Sequence, residues 1–173
     1  MIKLRSGASA VIVAAALAMG PAIAVTTMAT PPANAAACYL GYIFNRSNTT
    51  HWLDDYGGGS GTYVHTYTFT GSNNQYWCLE KASEGGYYLH PKNNLGLCLD
   101  AHTYNPGQPI WVYTCNGTLP QRWCWNLTGY IVTAGNFNVA LNDNGLYDIV
   151  DIEHGTANKW GWDSYAQPPP DEC

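Results

Sequence analysis

A gapless repeat with an interval of 46 residues is the feature that most constrains this sequence. The segment NNQYWCLE, residues 73–80, returns as LPQRWCWN, residues 119–126, with Gln, any residue, Trp and Cys in the same order. The identical pairs at this interval include Tyr42 and Tyr88, Leu53 and Leu99, Asp54 and Asp100, Tyr67 and Tyr113, Gly71 and Gly117, Gln75 and Gln121, Trp77 and Trp123, and Cys78 and Cys124. Self-similarity at a fixed period indicates copies of one structural unit.

A third, shorter copy follows the first two. Tyr130 precedes Ala140 by ten residues, as Tyr42 precedes Trp52 and Tyr88 precedes Cys98. The copy closes on Asn158, Lys159 and Trp160, which match Gln, any residue, Trp. Short alternating runs such as TYVHTYTF, QPIWVYTC and LYDIVDIE predict β-strands in each copy. Because one unit of this size cannot bury its own apolar face, we expect three β-units around one core. We expect that core to contain the closing tryptophans Trp77, Trp123 and Trp160.

The first 35 residues predict a secretory signal. Lys3 and Arg5 precede an apolar run, residues 8–25, that Gly20 and Pro21 interrupt before it reaches the length of a membrane span. Small residues favour cleavage after Ala35, and cleavage after Ala24 is the alternative. Residues 36–173 then form one domain, with lobes at about 38–80, 81–126 and 127–165 and a tail at 166–173. We therefore expect a secreted, extracellular protein.

Charge and cysteine content narrow the possible partners. Without Lys3 and Arg5, five basic side chains face twelve Asp and Glu, a net charge of minus seven. Such a charge repels phosphate backbones, so neither nucleic acid nor an anionic membrane is expected as a partner. All six cysteines lie after the signal, which predicts three disulfides in an exported domain. No cofactor motif and no metal site is predicted, and a monomer is expected.

The segment CLDAHTYNPGQPIWVYTCNGTLPQRW, residues 98–123, resembles one lobe of a ricin-type lectin domain, the family that includes family 13 carbohydrate-binding modules. The shared features are Cys-Leu-Asp, a loop, a strand that ends in a second Cys, and Gln-any-Trp. The resemblance extends over all three copies. It implies an all-β fold, the β-trefoil, in which three four-stranded lobes surround a pseudo-threefold axis and six strands close a short barrel. It also implies that each Trp points inward and each Gln lies at an outer pocket.

The resemblance implies a sugar site in lobe one. In this family an Asp accepts hydrogen bonds from two sugar hydroxyls, an aromatic ring stacks on the sugar, and an Asn donates to a hydroxyl. These roles suit a neutral polyhydroxylated ligand, since a carboxylate accepts strongly and a ring covers C–H surface. The residues of lobe one that take these roles are Asp54, Tyr67 and Asn74, with Gln75 as support and His65 as an added polar contact.

In the other two lobes the resemblance to a sugar site is incomplete. Lobe two keeps Asp100, Tyr113 and Gln121, but Pro120 replaces the Asn and offers no donor. Trp111 stands where lobe one has His65, as a candidate second stacking surface. For lobe three the counterparts are Asn142 for the Asp, Val150 for the aromatic ring and Ala157 for the Asn, with a shorter loop. We interpret this lobe as structural.

The lobe pattern also implies one disulfide, Cys98 with Cys115, at a position where lobe one has Trp52 and Phe69. The other four cysteines leave alternatives open. Cys78 and Cys124 follow inward tryptophans on separate strands, too far apart for a disulfide. The sequence favours Cys38 with Cys78 and Cys124 with Cys173, and Cys38 with Cys173 is the competing pair.

Motifs for catalysis are missing from the sequence. There is no His-Glu-x-x-His, no Gly-x-Ser-x-Gly and no phosphate loop. Asp54 and Asp55 are adjacent and project to opposite faces of a strand, which does not suit glycoside hydrolysis. The acidic run at residues 143–153 is interpreted as a solvated turn. We therefore expect a non-catalytic lectin for a galactose-like sugar or a polysaccharide. The alternative is a protein–protein module, such as a hydrolase inhibitor, that projects the flexible loop at residues 55–63.

Overall fold

The computed structural model describes residues 38–155, 157–163 and 173. The predicted secretory signal lies outside the described residues. Within them the fold is all-β, as predicted, and its one helical element is a 3₁₀ turn, Leu119–Gln121. In this part of the chain no helical segment has the length and apolar character of a membrane span.

Each lobe supplies four main strands. Lobe one contains β1 (Tyr39–Asn45), β2 (Trp52–Asp54), β4 (His65–Tyr67) and β5 (Tyr76–Lys81), with an added two-residue strand β3 (Thr62–Tyr63). Lobe two contains β6 (Tyr87–Pro91), β7 (Leu97–Asp100), β8 (Trp111–Thr114) and β9 (Trp123–Trp125). Lobe three contains β10 (Ile131–Thr133), β11 (Asn136–Asn142), β12 (Asp151–His154) and β13 (Trp160–Asp163).

The strand pairing gives the predicted β-trefoil. The first and last strands of each lobe pair antiparallel in the order β13, β1, β5, β6, β9, β10, which forms the barrel wall. The middle strands of each lobe form a hairpin: β2 with β4, β7 with β8, and β11 with β12. Because the three hairpins have the same register, equivalent positions can be read across lobes. Asp54 lies opposite His65, Asp100 opposite Trp111, and Asn142 opposite Asp151.

The three closing tryptophans form the centre of the core. Trp77, Trp123 and Trp160 are at most 1% exposed. Each indole N–H donates to a leucine carbonyl in the hairpin of its own lobe. The pairs are Trp77 to Leu53 at 3.1 Å, Trp123 to Leu99 at 2.9 Å, and Trp160 to Leu141 at 2.9 Å. A buried indole that finds a partner adds a hydrogen bond to its large apolar area. The same bond therefore fixes the hairpin to the barrel in every lobe.

The six cysteines form three disulfides, and none is free. The pairs are Cys38 with Cys78, Cys98 with Cys115, and Cys124 with Cys173. These are the pairs that the sequence favours, and they include the one across the β7–β8 hairpin. The loops closed span 40, 17 and 49 residues, and a disulfide that closes loops of this size stabilises by about 3 to 4 kcal/mol in the chain-entropy model.

One acidic residue links lobe three to lobe one, contrary to the solvated turn expected for residues 143–153. The side chain of Asp143 is 2% exposed and accepts hydrogen bonds from Asn45 Nδ2 and His51 Nδ1, both at 2.6 Å, and from Thr66 Oγ1 at 3.1 Å. Burial raises the pKa of Asp143, but the hydrogen bonds from Asn45, His51 and the Gly145 N–H outweigh it and hold the pKa below its ordinary value. The sequence interpretation was wrong here because all three donors come from another lobe.

Replacing the indole at the centre of the core tests its hydrogen bond. Trp123→Phe keeps an aromatic ring but leaves the Leu99 carbonyl without its donor and opens a small cavity. We expect the free energy of unfolding to fall by about 2 to 4 kcal/mol, from the lost contacts and the unsatisfied carbonyl together. Urea denaturation with the disulfides intact measures this change.

Trp52→Phe is the control for that experiment. Trp52 is partly buried among the rings of Phe44 and Phe69 and makes no indole hydrogen bond among the described residues. We expect it to cost less than about 1.5 kcal/mol. Equal losses for the two variants would contradict a special role for the core indoles.

Candidate functional site

The β2–β4 hairpin places three of the predicted residues of lobe one on one face. Asp54 ends β2 and lies directly opposite His65, the first residue of β4. Tyr67 lies two residues further along β4, so it points to the same side as His65. Thr66 between them is fully buried and faces the interior. The hairpin register therefore brings the carboxylate, the imidazole and the phenol ring together.

Two hydrogen bonds from within lobe one hold the carboxylate of Asp54 in place. The backbone N–H of Tyr56 donates to Oδ1 at 2.6 Å, and Gln75 adds a side-chain hydrogen bond. Tyr56 adopts a left-handed backbone with φ of 59°, which closes this Asx-type turn. Burial raises the pKa of Asp54 above 3.8, and the hydrogen bonds and the nearby His65 offset only part of that rise. Because an ionised carboxylate has about four acceptor positions, two bonds leave room for two ligand hydroxyls.

Gln75 lies behind the cleft and cannot be a direct contact, because it is 0% exposed. Its Oε1 accepts from the backbone N–H of Thr70 and its Nε2 donates to the carbonyl of Thr68, both at 2.8 Å. Gln121 repeats this pattern in lobe two, with bonds to Asn116 N–H at 2.8 Å and the Thr114 carbonyl at 3.0 Å. In both lobes the buried Gln therefore links the end of the hairpin to the carboxylate by hydrogen bonds.

A network that the sequence analysis missed holds Asn74. Asn93 of lobe two donates from Nδ2 to Asn74 Oδ1 at 3.1 Å and to both carboxylate oxygens of Asp55, at 3.1 and 2.9 Å. Asp55 is 0% exposed, and burial raises its pKa despite the bonds from Asn93 and the Gly57 N–H. Since the Asn74 oxygen accepts from Asn93, its Nδ2 is the end left to donate to a ligand.

Glycine is required next to Asn74. Gly57 has φ of 69°, and a Cβ there would lie 3.0 Å from Asn74 Nδ2. Any other residue would strain the turn and push the amide out of place. The glycine in this turn thus has a packing reason that the sequence alone does not reveal.

These groups line one cleft of about 390 Å³ on lobe one. Its lining contains three of the predicted residues, Asp54, Tyr67 and Asn74. Tyr56, Thr70 and Ser72 complete the wall and were not predicted, because they lie in turns without a repeated motif. Tyr56 is 64% exposed, which makes it the most accessible ring of the cleft. His65 lines an adjoining cavity on the other side of Tyr67.

Lobe two has a corresponding cleft of about 520 Å³ that contains Asp100, Trp111, Tyr113 and Pro120. The His102 N–H donates to Asp100 Oδ1 at 2.6 Å, and Gln121 Nε2 donates to Oδ2 at 2.9 Å. The carboxylate is therefore held as in lobe one. Pro120 takes the place of Asn74 and gives no side-chain donor. The Trp111 ring is stacked on Tyr63 at 5.8 Å, so one of its faces is covered by protein.

Lobe three differs from the sequence alignment at one position. Val150 is fully buried, and the hairpin register places Glu153, opposite Ala140, where the other lobes have Tyr67 and Tyr113. The alignment was wrong because the shortened loop moves β12 by three residues. Asn142 is where expected, at the Asp position, but its amide donates to Asp151 at 2.9 Å. Lobe three therefore offers no aromatic ring at the equivalent position.

A larger cavity of about 550 Å³ lies elsewhere on lobe three, lined by Tyr130, Phe137, His154 and others. At the corresponding positions of the hairpin, lobe one has the ring pair Trp52 and Phe69, and lobe two has the disulfide between Cys98 and Cys115. Lobe three has the small residues Ala140 and Gly155 there, and the cavity forms in the space that they leave. Its lining contains no carboxylate, so it is not a counterpart of the Asp54 cleft.

The loop at residues 55–63 is attached to lobe two rather than projecting freely. β3 pairs with β8, and the Gly61 N–H donates to the Val112 carbonyl at 2.8 Å. Ser60 Oγ accepts from the Thr114 N–H at 3.0 Å. The loop does not project freely, as the alternative of a protein–protein module requires, because backbone groups of lobe two satisfy its polar atoms.

Comparison with known families decides the classification. The model of the ricin-type β-trefoil lectin domain matches residues 39–146. The chain belongs to this family. The match covers most of the described residues, including both carboxylate clefts. Sequence comparison with curated proteins gave no match.

Solved structures share the fold. A mosquitocidal holotoxin is similar with 16% identity and a TM-score of 0.63, over 72% of this chain and 17% of the toxin chain. This chain therefore spans about one sixth of that toxin. The Vibrio vulnificus hemolysin lectin domain, solved with N-acetyl-D-lactosamine, has 24% identity and a TM-score of 0.60, over 73% and 95% of the two chains. The C-terminal half of an earthworm R-type lectin, solved with GalNAc, has 17% identity and a TM-score of 0.57, over 71% and 96%.

Removing the Asn93 side chain tests the network behind the cleft. Asn93→Ala leaves the buried carboxylate of Asp55 without its amide donor, so we expect the free energy of unfolding to fall by about 1 to 3 kcal/mol. Urea denaturation measures the loss. Asn105→Ala is the control, since Asn105 is exposed and its side chain makes no hydrogen bond among the described residues; we expect a change within about 0.5 kcal/mol. Equal stability of the two variants would contradict the network.

Proposed function

We propose that the protein is a secreted, non-catalytic carbohydrate-binding protein that binds a galactose-like sugar or a polysaccharide chiefly through lobe one. The observation that carries the proposal is the presence of Asp54, Tyr67 and Asn74 in one cleft. A carboxylate that accepts from hydroxyls, a ring that covers C–H surface and an amide that donates are complementary to a saccharide. Lobe two is a second, weaker site because Pro120 supplies no donor.

The chemistry of the cleft favours weak binding by each site. Water competes for every hydroxyl, so a few hydrogen bonds give a net gain of about 4 kcal/mol, which corresponds to millimolar affinity. A polymer that reaches both clefts, or several copies of the protein on one polymer, raises the effective affinity. A polysaccharide or a dense glycan surface is therefore the partner that this site suits.

Secretion and the lack of catalysis belong to the same proposal. The predicted signal at residues 1–35 and the three disulfides both suit an oxidising compartment. The mature domain, residues 36–173, is proposed to act as a monomer without cofactor, nucleic acid or membrane. The attachment of residues 60–63 to lobe two counts against the alternative of a hydrolase inhibitor with a projecting loop.

Loss of the carboxylate of lobe one tests the proposal. Sugars found on a glycan array are titrated by calorimetry into the wild type and Asp54→Asn. We expect Asp54→Asn to weaken binding by about 10- to 100-fold, because a charged acceptor of two hydroxyls is lost. The fold is expected to survive, since an amide oxygen still accepts from Tyr56 N–H.

Asp100→Asn is the matched control in lobe two. It carries the same change at the same register position, so both variants should melt alike. We expect it to reduce the binding of a monosaccharide less than Asp54→Asn does. A wild type that binds no glycan, or an Asp54→Asn variant with unchanged affinity, would contradict the proposal.

Acidification tests the charge state of Asp54. Since burial raises the pKa of Asp54, sugar binding should weaken as the pH falls from neutral towards the ordinary Asp value of 3.8, before an ordinary Asp protonates. A raised pKa means that protonation of Asp54 favours the folded state, so Asp54 itself does not drive unfolding as the pH falls. Calorimetric titration across this range measures it, and Asp54→Asn should show no such dependence. Wild-type affinity that is constant over the range would contradict the assignment.

A further inference from the structure

A second cavity of about 300 Å³ adjoins the Asp54 cleft. Its lining consists of Tyr56, His65, Tyr67 and Tyr147. Tyr56 and Tyr67 belong to both linings, so the two hollows meet at these rings. Three of the four residues come from lobe one, and Tyr147 comes from lobe three. Lobe one alone therefore cannot form this cavity, because one of the lining residues comes from another lobe.

Tyr147 is fixed to lobe one by backbone hydrogen bonds. Its N–H donates to the Thr66 carbonyl at 2.8 Å, and the Thr66 N–H donates to the Asp148 carbonyl at 3.1 Å. Its ring meets the edge of Tyr67 with centroids 4.7 Å apart and planes at 70°. It remains 56% exposed. An accessible ring held on a bonded backbone loses little freedom when it meets a ligand.

The backbone of Tyr147 is strained as well as fixed. Its φ of 67° lies in the left-handed region, which a bulky side chain rarely adopts. Strain of this kind persists only where the surrounding structure holds it, and it concentrates at ligand-binding sites. The sequence places a tyrosine at this position, where glycine or asparagine would fit the backbone better.

His65 brings a polar atom to the same cavity. Its Nδ1 is buried and has no hydrogen-bond partner among the described residues. The ring lies 5.2 Å from the ring of Tyr56 and, along the hairpin, directly opposite Asp54. Buried polar atoms without a partner are costly, and a ligand hydroxyl would satisfy this one.

We propose that lobe one binds two consecutive saccharide units, one at Asp54 and the next in the cavity of His65 and Tyr147. This inference rests on the proposed function and names its substrate class as a chain of two or more sugars. Tyr147 covers the apolar face of the second unit, and the His65 ring, turned so that Nδ1 faces the cavity, bonds one of its hydroxyls. The rings of Tyr56 and Tyr67 lie at the junction between the units. Specificity for the second unit thus depends on a residue from lobe three.

Paired sugars test this arrangement in the intact mature protein. Calorimetry compares methyl β-galactoside with lactose, and xylose with xylobiose. In the wild type, the disaccharide of the pair that binds should be held roughly 3- to 10-fold more tightly than its monosaccharide, which is the range for one added ring contact. Tyr147→Asn removes the ring and suits the left-handed backbone. It should abolish this gain and leave the monosaccharide affinity unchanged.

Two further variants complete the test. His65→Phe keeps a ring without Nδ1 and should reduce the same gain. Phe137→Asn removes another lobe-three ring, 60% exposed but outside both linings, and should change neither affinity. Wild-type disaccharide affinity equal to that of the monosaccharide would overturn the inference and leave the proposed function standing. The same conclusion would follow if Tyr147→Asn weakened the binding of the monosaccharide and of the disaccharide equally while its melting temperature stayed unchanged. A wild type that binds none of the four probes would overturn the inference, and the glycan array decides the proposed function separately.

Discussion

The hydrogen bond from each core indole to a leucine carbonyl is the interaction on which the rest of the structure depends. Trp77, Trp123 and Trp160 fill the centre, and each donates to the leucine that immediately precedes the Asp or Asn at the hairpin end. In lobe one that leucine is Leu53, so the position of Asp54 is set one residue from the core. Because packed interiors transmit small displacements, the core and the cleft form one mechanical unit. This explains how the side chains of a shallow surface cleft can hold fixed positions on a domain made of short strands.

The same scaffold carries three different outer faces. Lobe one presents a carboxylate, rings and an amide, lobe two lacks the amide because of Pro120, and lobe three presents Asn142 and Glu153 in place of the acid and the ring. Behind the carboxylates of lobes one and two, Gln75 and Gln121 give the same buried support. Binding in this architecture is therefore a property of each lobe's few exposed side chains, while the shared core supplies the fold.

The fold and part of the candidate site could be predicted from the sequence, because the residues that define both recur at a fixed interval. Asp54 and Asp100 are separated by the same interval as Trp77 and Trp123, which indicates that each pair occupies equivalent positions in two similar lobes. Residues that act between lobes leave no such signal: Asn93 reaches Asn74, Tyr147 reaches Tyr67, and Asp143 binds Asn45 and His51. Val150 was misplaced because a shortened loop shifts the strand, and only the hairpin register reveals Glu153. The repeat thus located equivalent positions in lobes one and two, whereas the shortened loop of lobe three and the contacts between lobes left no signal in it.

Hydrogen exchange of the indole N–H groups, followed by NMR in the native protein, tests the central claim most directly. If the three indole bonds hold the fold together, the signals of Trp77, Trp123 and Trp160 should exchange only through global unfolding. Their protection should then equal the free energy of unfolding measured by urea. Exchange of any of these three as fast as that of a partly exposed indole such as Trp52, under conditions where the protein stays folded, would contradict the account.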